Sequence, residues 1–289
     1  MNRFTHFLAV DWSGAAGERH KGIALALAES AGGPPTLVTP PRGGWSRPEV
    51  LGVIAGYAGE AALIGVDLGI SLPFADHGAF LPGWANSPAD ARSLWALIDE
   101  VCAHDPHLGA ASFVDHPDIA AYFRRHGGRE GARFGGGRGR LRVTEHAQAR
   151  MGLSPYSNFN LVGAAQVGKS SLTGMRVLNR LADKLAVWPI DPLPEQGAVL
   201  CEIYTSLAAI EAGRSAGRSK MRHIDDLNAA LSVLGSPPVA RSGAIDDHSA
   251  DALLTAVWLR RVHGEQARWQ PQGLTPVIAR TEGWTFGAL

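Results

Sequence analysis

Phe4 to Val10 forms an apolar run that stops at Asp11, Trp12 to Gly17 carries turn residues, and Gly22 to Ala28 is apolar again, a pattern of strand, loop and strand. Thr36 to Val38 predicts a third, short strand. Pro48 to Ala58 spaces its apolar residues for a helix, with Ser46 as its candidate N-cap. Ala61 to Val66 is a further apolar run and ends at Asp67, so two predicted strands each stop at an aspartate.

From about Phe74 to Gln196 the pattern is less regular, with helices predicted at Pro88 to Ala103, His116 to His126, Thr144 to Met151 and Ser170 to Leu185. Within it, residues 129–142 are too rich in glycine for a stable helix and predict a mobile loop. Eight arginines lie between Arg124 and Arg150. Regular structure resumes with a buried-strand pattern at Ala198 to Tyr204. Asp247 to Val262 then predicts a strong helix on the spacing of Ala250, Leu253, Leu254, Val257 and Trp258. The expected architecture is an α/β domain over 1–289: a mixed five-stranded sheet flanked by helices, with a large, mostly helical insertion at 74–196 between the fourth and fifth strands.

Composition changes this picture little. Hydrophobic residues make up 45% and charged residues 19%, as in ordinary globular proteins, and the formal net charge is zero, so any affinity for a polyanion must be local. Cys102 and Cys201 are far apart and form neither a disulfide framework nor a metal knuckle, which fits a reducing cytoplasm. No run is long enough for a signal sequence or a membrane span. A cytoplasmic protein without membrane attachment is expected; the sequence does not reveal its oligomeric state.

The order of elements is that of the RNase H-like fold, in which the first and fourth strands lie side by side and parallel. Asp11 and Asp67 would then share one crevice. On the last helix His248 lies three residues and Asp247 four residues before Asp251, so all three can point from one face toward the strand ends. Clustered carboxylates repel one another, and a divalent ion removes the conflict. Oxygen ligands from Asp11, Asp67 and Asp251 suit Mg²⁺ or Mn²⁺, and the implied reaction is metal-assisted hydrolysis of a phosphoester such as nucleic acid. Taken singly, each strand-end aspartate also fits the common role of accepting turn amides, and Asp246 or Asp247 fits an N-cap.

The segments Val10-Asp11-Trp12-Ser13-Gly14-Ala15, Gly65-Val66-Asp67, Cys201-Glu202-Ile203-Tyr204, Asp246 to Ala252 and Glu282-Gly283-Trp284 resemble the landmarks of an uncharacterised bacterial family of predicted RNase H-like nucleases. The likeness spans nearly the whole chain. His248-Ser249-Ala250-Asp251-Ala252 is also similar to the last-helix motif of Holliday junction resolvases, a match confined to the sheet strands and that helix. The resemblance implies nuclease activity, metal at Asp11, Asp67 and Asp251, assistance from His248 and Asp247, and Glu202 near the crevice as a fourth ligand or a partner to a metal water. Ser13 and Gly14 would then meet substrate.

Two other features compete. Gly163-Ala-Ala-Gln-Val-Gly168-Lys169-Ser170 satisfies the Walker A pattern, which makes a nucleotide-binding protein using Gly168, Lys169 and Ser170 the alternative; a Gly-rich helix cap is the plainer reading. The arginines, Arg138, Arg140 and Arg142 above all, are expected to be either a solvated face or phosphate contacts closing over the crevice. A catalytically silent binding protein on the same fold is the third reading.

Overall fold

The first apolar run forms β1 (His6–Asp11), which turns through residues 12–23 into its antiparallel partner β2 (Ala24–Glu29), with Asp11 opposite Ala24. The computed structural model describes residues 3–163, 166–215 and 220–289. β3 (Thr36–Val38) joins the outer edge of β2 antiparallel. The chain then crosses through α1 (Arg47–Gly56) to β4 (Ala62–Val66), which runs parallel to β1. Ser46 caps α1 as its position implies: its hydroxyl accepts the Glu49 amide at 3.3 Å and Glu49 accepts the Ser46 amide at 2.9 Å.

Residues 74–196 hold α2 (Ala91–Val101), α3 (Ala111–Asp115), a short hairpin of β5 (Arg124–Arg125) and β6 (Arg129–Glu130), α4 (Val143–Arg150) and α5 (Val167–Leu181). They also supply β7 (Ala186–Trp188), which pairs parallel with β8 (Val199–Glu202). The sheet therefore has six strands in the order β3-β2-β1-β4-β8-β7, where five were expected. β7 was not separated from the helix predicted just before it at Ser170 to Leu185, because its three residues follow that apolar run directly and are halted by Pro189.

The helix expected at His116 to His126 is replaced by turns. Arg124 instead bonds the 159–161 segment, donating its amide to Phe159 O at 3.0 Å and accepting from Leu161 N at 2.9 Å. Tertiary pairing overrides helical propensity there. After β8 come α6 (Thr205–Glu211), α7 (Ile224–Val233), α8 (Asp247–Val262), α9 (Gln266–Trp269) and α10 (Pro276–Thr281).

The central strands read as continuous apolar runs because both faces of the sheet are covered. Phe7, Ala9, Ala24, Ala26, Leu63 and Cys201 face a core shared with α6, α7 and α8. Leu8, Val10, Leu25, Ile64, Val66 and Leu200 face a second core with α1, α2 and α5. The α8 face is lined with small residues, which lets the helix lie close: a Cβ on Gly65 would stand 2.9 Å from Leu259 Cδ1. Among the described residues no helix is long and apolar enough to cross a membrane.

Candidate active site

Alternation along β1 puts Asp11 on the face of Phe7 and Ala9, toward α8. There its Oδ2 lies 3.1 Å from His248 Nδ1, which reaches it from the first turn of α8. Burial raises the Asp11 pKa against the opposing pull of His248, and the same pairing raises that of His248. Asp67 is the first residue beyond β4, and its amide donates to Val10 O at 2.9 Å, which locks the two strand ends side by side. Thr205 Oγ1 donates to Asp67 Oδ2 at 3.4 Å. Burial, followed by the charges of Asp11, Asp251 and Glu202, holds Asp67 well above the ordinary carboxylate range. Asp251, one turn into α8, is pushed up to about 7 by burial and by Asp11 and Asp247. Asp11, Asp67, Asp251 and His248 are thus brought together by three elements that are remote in sequence.

The donor chemistry fits a hard divalent cation: partly or fully buried carboxylates that repel one another, with His248 paired with Asp11. Among the described residues, no three His, Cys, Asp or Glu side chains are grouped so that they would hold an ion together as they stand.

Two of the expected participants have other work. Asp246 is the N-cap of α8, accepting from Ser249 N at 2.9 Å, while Asp247 turns away to Lys220 Nζ and Arg222 Nε, each at 3.1 Å. Asp247 acts on Asp251 only through its field. Glu202 shares the Leu200 face, on the side of the sheet opposite Asp11. Its oxygens accept from Arg142 at 2.6 and 2.8 Å, from Thr285 Oγ1 at 2.5 Å and from Ile70 N at 2.9 Å. That leaves no free lone pair of the kind a metal needs, which excludes Glu202 as a ligand in this arrangement.

The arginine expectation is corrected in the same way. Arg142 is fully buried between Glu145 and Glu202, and these carboxylates outweigh the cost of burial and hold its guanidinium protonated. Arg140 is buried on Asp76, at 2.6 and 2.8 Å, and on the carbonyls of Pro73, Ala79 and Phe80. Both are structural, and with the buried Phe134 they anchor the glycine-rich segment against the rest of the fold. Arg138 alone stays exposed, beside the Tyr156 ring. The cations whose charge reaches Asp251 and Asp11 include Lys220, with Arg222 beside it on Asp247; both are largely exposed. A sequence signal existed in the Lys220-Met-Arg222 pair, but it is short beside the denser arginine run.

Of the Walker-like segment, Ala164 and Ala165 lie outside the described residues. Gly168, Lys169 and Ser170 form the first turn of α5, and the preceding stretch 158–162 meets a neighbouring strand only as a single bridge at Asn160. Lys169 Nζ bonds Gln166 Oε1 at 2.9 Å and lies 2.6 Å from His126 Nε2. Ser170 borders a 190 Å³ cavity with Trp12, Asp67 and Tyr204. Gly14 is pressed against this turn: a Cβ there would lie 2.3 Å from Lys169 C and Ser170 N. The Ser13 hydroxyl accepts from Ala15 N at 3.3 Å and lies near Gly22, whose absent Cβ leaves room for the His248 ring. Compared with family models, curated proteins and solved structures, the chain has no significant match.

Proposed function

We propose that the protein is a divalent-metal-dependent phosphoester hydrolase of the RNase H-like kind, with nucleic acid as its substrate class. The observation that carries this is the convergence of Asp11 and Asp67, on adjacent parallel strand ends, with Asp251 and His248 from α8. Burial and mutual repulsion keep these carboxyls above their ordinary pKa, a conflict that a cation relieves. The placement of β1 between antiparallel β2 and parallel β4 agrees with the strand order from which the carboxylate crevice was expected.

Asp11, Asp67 and Asp251 would hold the ion. When bound, a divalent ion supplies positive charge against a phosphoryl group and a more acidic water. His248, on Asp11 through Nδ1, can keep a proton on Nε2 at the mouth formed by Ser13 and Gly22 and give it to a leaving oxygen. Lys220 and Arg222 provide the exposed positive charge that draws a polyanion toward an acidic centre.

The test is cleavage of single-stranded, duplex, hybrid and branched nucleic acids with Mn²⁺ or Mg²⁺ by wild type and Asp11→Asn. Loss of even an outer-shell partner costs a metal site about 10–100-fold, so the Asn variant is expected to lose more than about a hundredfold in kcat/KM. Equal cleavage by both proteins would remove Asp11 from the chemistry and overturn the reading.

A further inference from the structure

Beside the 14–17 loop lies a cavity of 460 Å³ whose lining contains none of Asp11, Asp67, Asp251 and His248, within the range of small-molecule sites. Its walls come from that loop, α1, residues 105–115, the β5-β6 hairpin and the first turns of α5. The charge on them is one-sided. Arg47, Arg125, Arg129 and Lys169 line it, with His107 and His126, against Asp105 and Asp115. Both acids are occupied: Asp115 pairs with Arg125 at 2.8 Å, and Asp105 holds the Ser112 hydroxyl and amide at 2.5 and 2.8 Å.

The remaining cations have no carboxylate of their own among the described residues. Arg47 is 1% exposed and rests on carbonyls alone, those of Ala15 at 2.6 Å, His107 at 2.9 Å and Ser13 at 3.1 Å, and its Nε has no partner. Burial and then the nearby Arg176 lower its pKa to about 10, and its charge, after burial, helps to push His20 down to about 4. A buried charge without a countercharge is costly, and an anion beside it offsets that cost. Among the described residues Lys169 has only Gln166 and His126, and Arg129 only the His126 carbonyl at 3.4 Å. Part of the wall is apolar, formed by Leu161, Leu172, Val114 and Pro106.

We propose that this cavity binds a phosphorylated small molecule, its phosphate facing Lys169, Arg129 and Arg47 and its organic body lying against Leu161, Leu172 and Val114. Several unpaired cations from three elements match a dianion better than a lone carboxylate, which one of them would satisfy. The inference does not depend on the proposed hydrolase activity, since the cavity has none of the residues of the acidic centre.

Calorimetric titration in metal-free buffer with phenyl phosphate and inorganic phosphate tests it. Wild type and Asp11→Asn should bind phenyl phosphate alike, and more tightly than inorganic phosphate, because the apolar wall adds to the charge contacts. Lys169→Ala with Arg129→Ala should weaken both by about a hundredfold, each charge-assisted bond removed being worth about tenfold. Both side chains are reached by solvent, and an unchanged Tm checks that the fold is kept; Lys169→Gln, which keeps a polar chain, should show the single-site loss. The proposal is overturned if neither probe binds wild type at millimolar concentration, if the double variant binds as wild type does, or if Asp11→Asn weakens binding as much as the double change.

Discussion

Among the described residues Asp67 has a single side-chain hydrogen-bond partner, the Thr205 hydroxyl, and it stands in the field of Asp11, Asp251 and Glu202. Its folded pKa lies well above the ordinary 3.8, and that of Asp251 is about 7. Between the ordinary and the raised values the folded chain keeps protons that the unfolded chain has released, so the contribution of these groups to stability falls as pH climbs through that window. Asp67→Asn removes the conflict at one position. Without divalent metal it should raise the Tm at pH 8, by roughly 2–4 °C for each kcal/mol recovered, with the gain shrinking as pH falls toward 4. Mn²⁺ should stabilise wild type at pH 8 and leave the variant nearly unmoved; thermal denaturation at both pH values reads all of this, and a variant less stable than wild type at pH 8 would refute it. Asp11, Asp67 and Asp251 could be read from the sequence because each ends an apolar run or lies inside a strongly patterned helix. The pairing of Glu202 with Arg142 could not, because the partner is 60 positions away in a stretch whose pattern does not say which residues fold inward.

The contact between the β1 loop and the first turn of α5 is set by Gly14. Any Cβ there meets backbone at 2.3 Å, so one of the two segments must shift. Gly14→Ala is therefore expected to cost about 1–3 kcal/mol, the usual range for overpacking, measured by denaturant unfolding, and to weaken any ligand of the cavity that both segments line. A variant as stable as wild type would show that the loop yields freely. At this scale the long elements were readable: α1, α8 and the four longer strands follow from period and capping. The short β7 and the hairpin of β5 and β6 were not: the equally short β3 is set off by Pro34-Pro35 and Pro40-Pro41, whereas these lie inside the irregular stretch 74–196. The arginine-rich segment misled for a related reason, because glycine content describes local freedom while Phe134, Arg140 and Arg142 are fixed by partners elsewhere.

The whole molecule has no net charge, yet its field is uneven. The acidic centre has Lys220 and Arg222 at its margin, both largely exposed and shared with Asp247. If nucleic acid approaches along that margin, Lys220→Ala with Arg222→Ala should raise KM and reduce the slope of log K against log salt by about one for each phosphate left unneutralised, with kcat little changed. Arg142→Ala, by contrast, strips Glu145 and Glu202 of their buried partner and should show up as reduced stability. Identical salt profiles for wild type and the Lys220, Arg222 double variant would put the approach path elsewhere.

The bond between Asp11 and His248 spans 237 positions of the chain. Only residues 12–23 separate β1 from β2, whereas bringing the two strand-end aspartates to α8 closes a far longer loop, at an entropic cost that grows with its length. During synthesis the aspartates of β1 and β4 leave the ribosome well before α8 exists. A nascent or partly unfolded chain therefore carries no assembled acidic centre, and whatever chemistry that centre performs is withheld until the fold is complete.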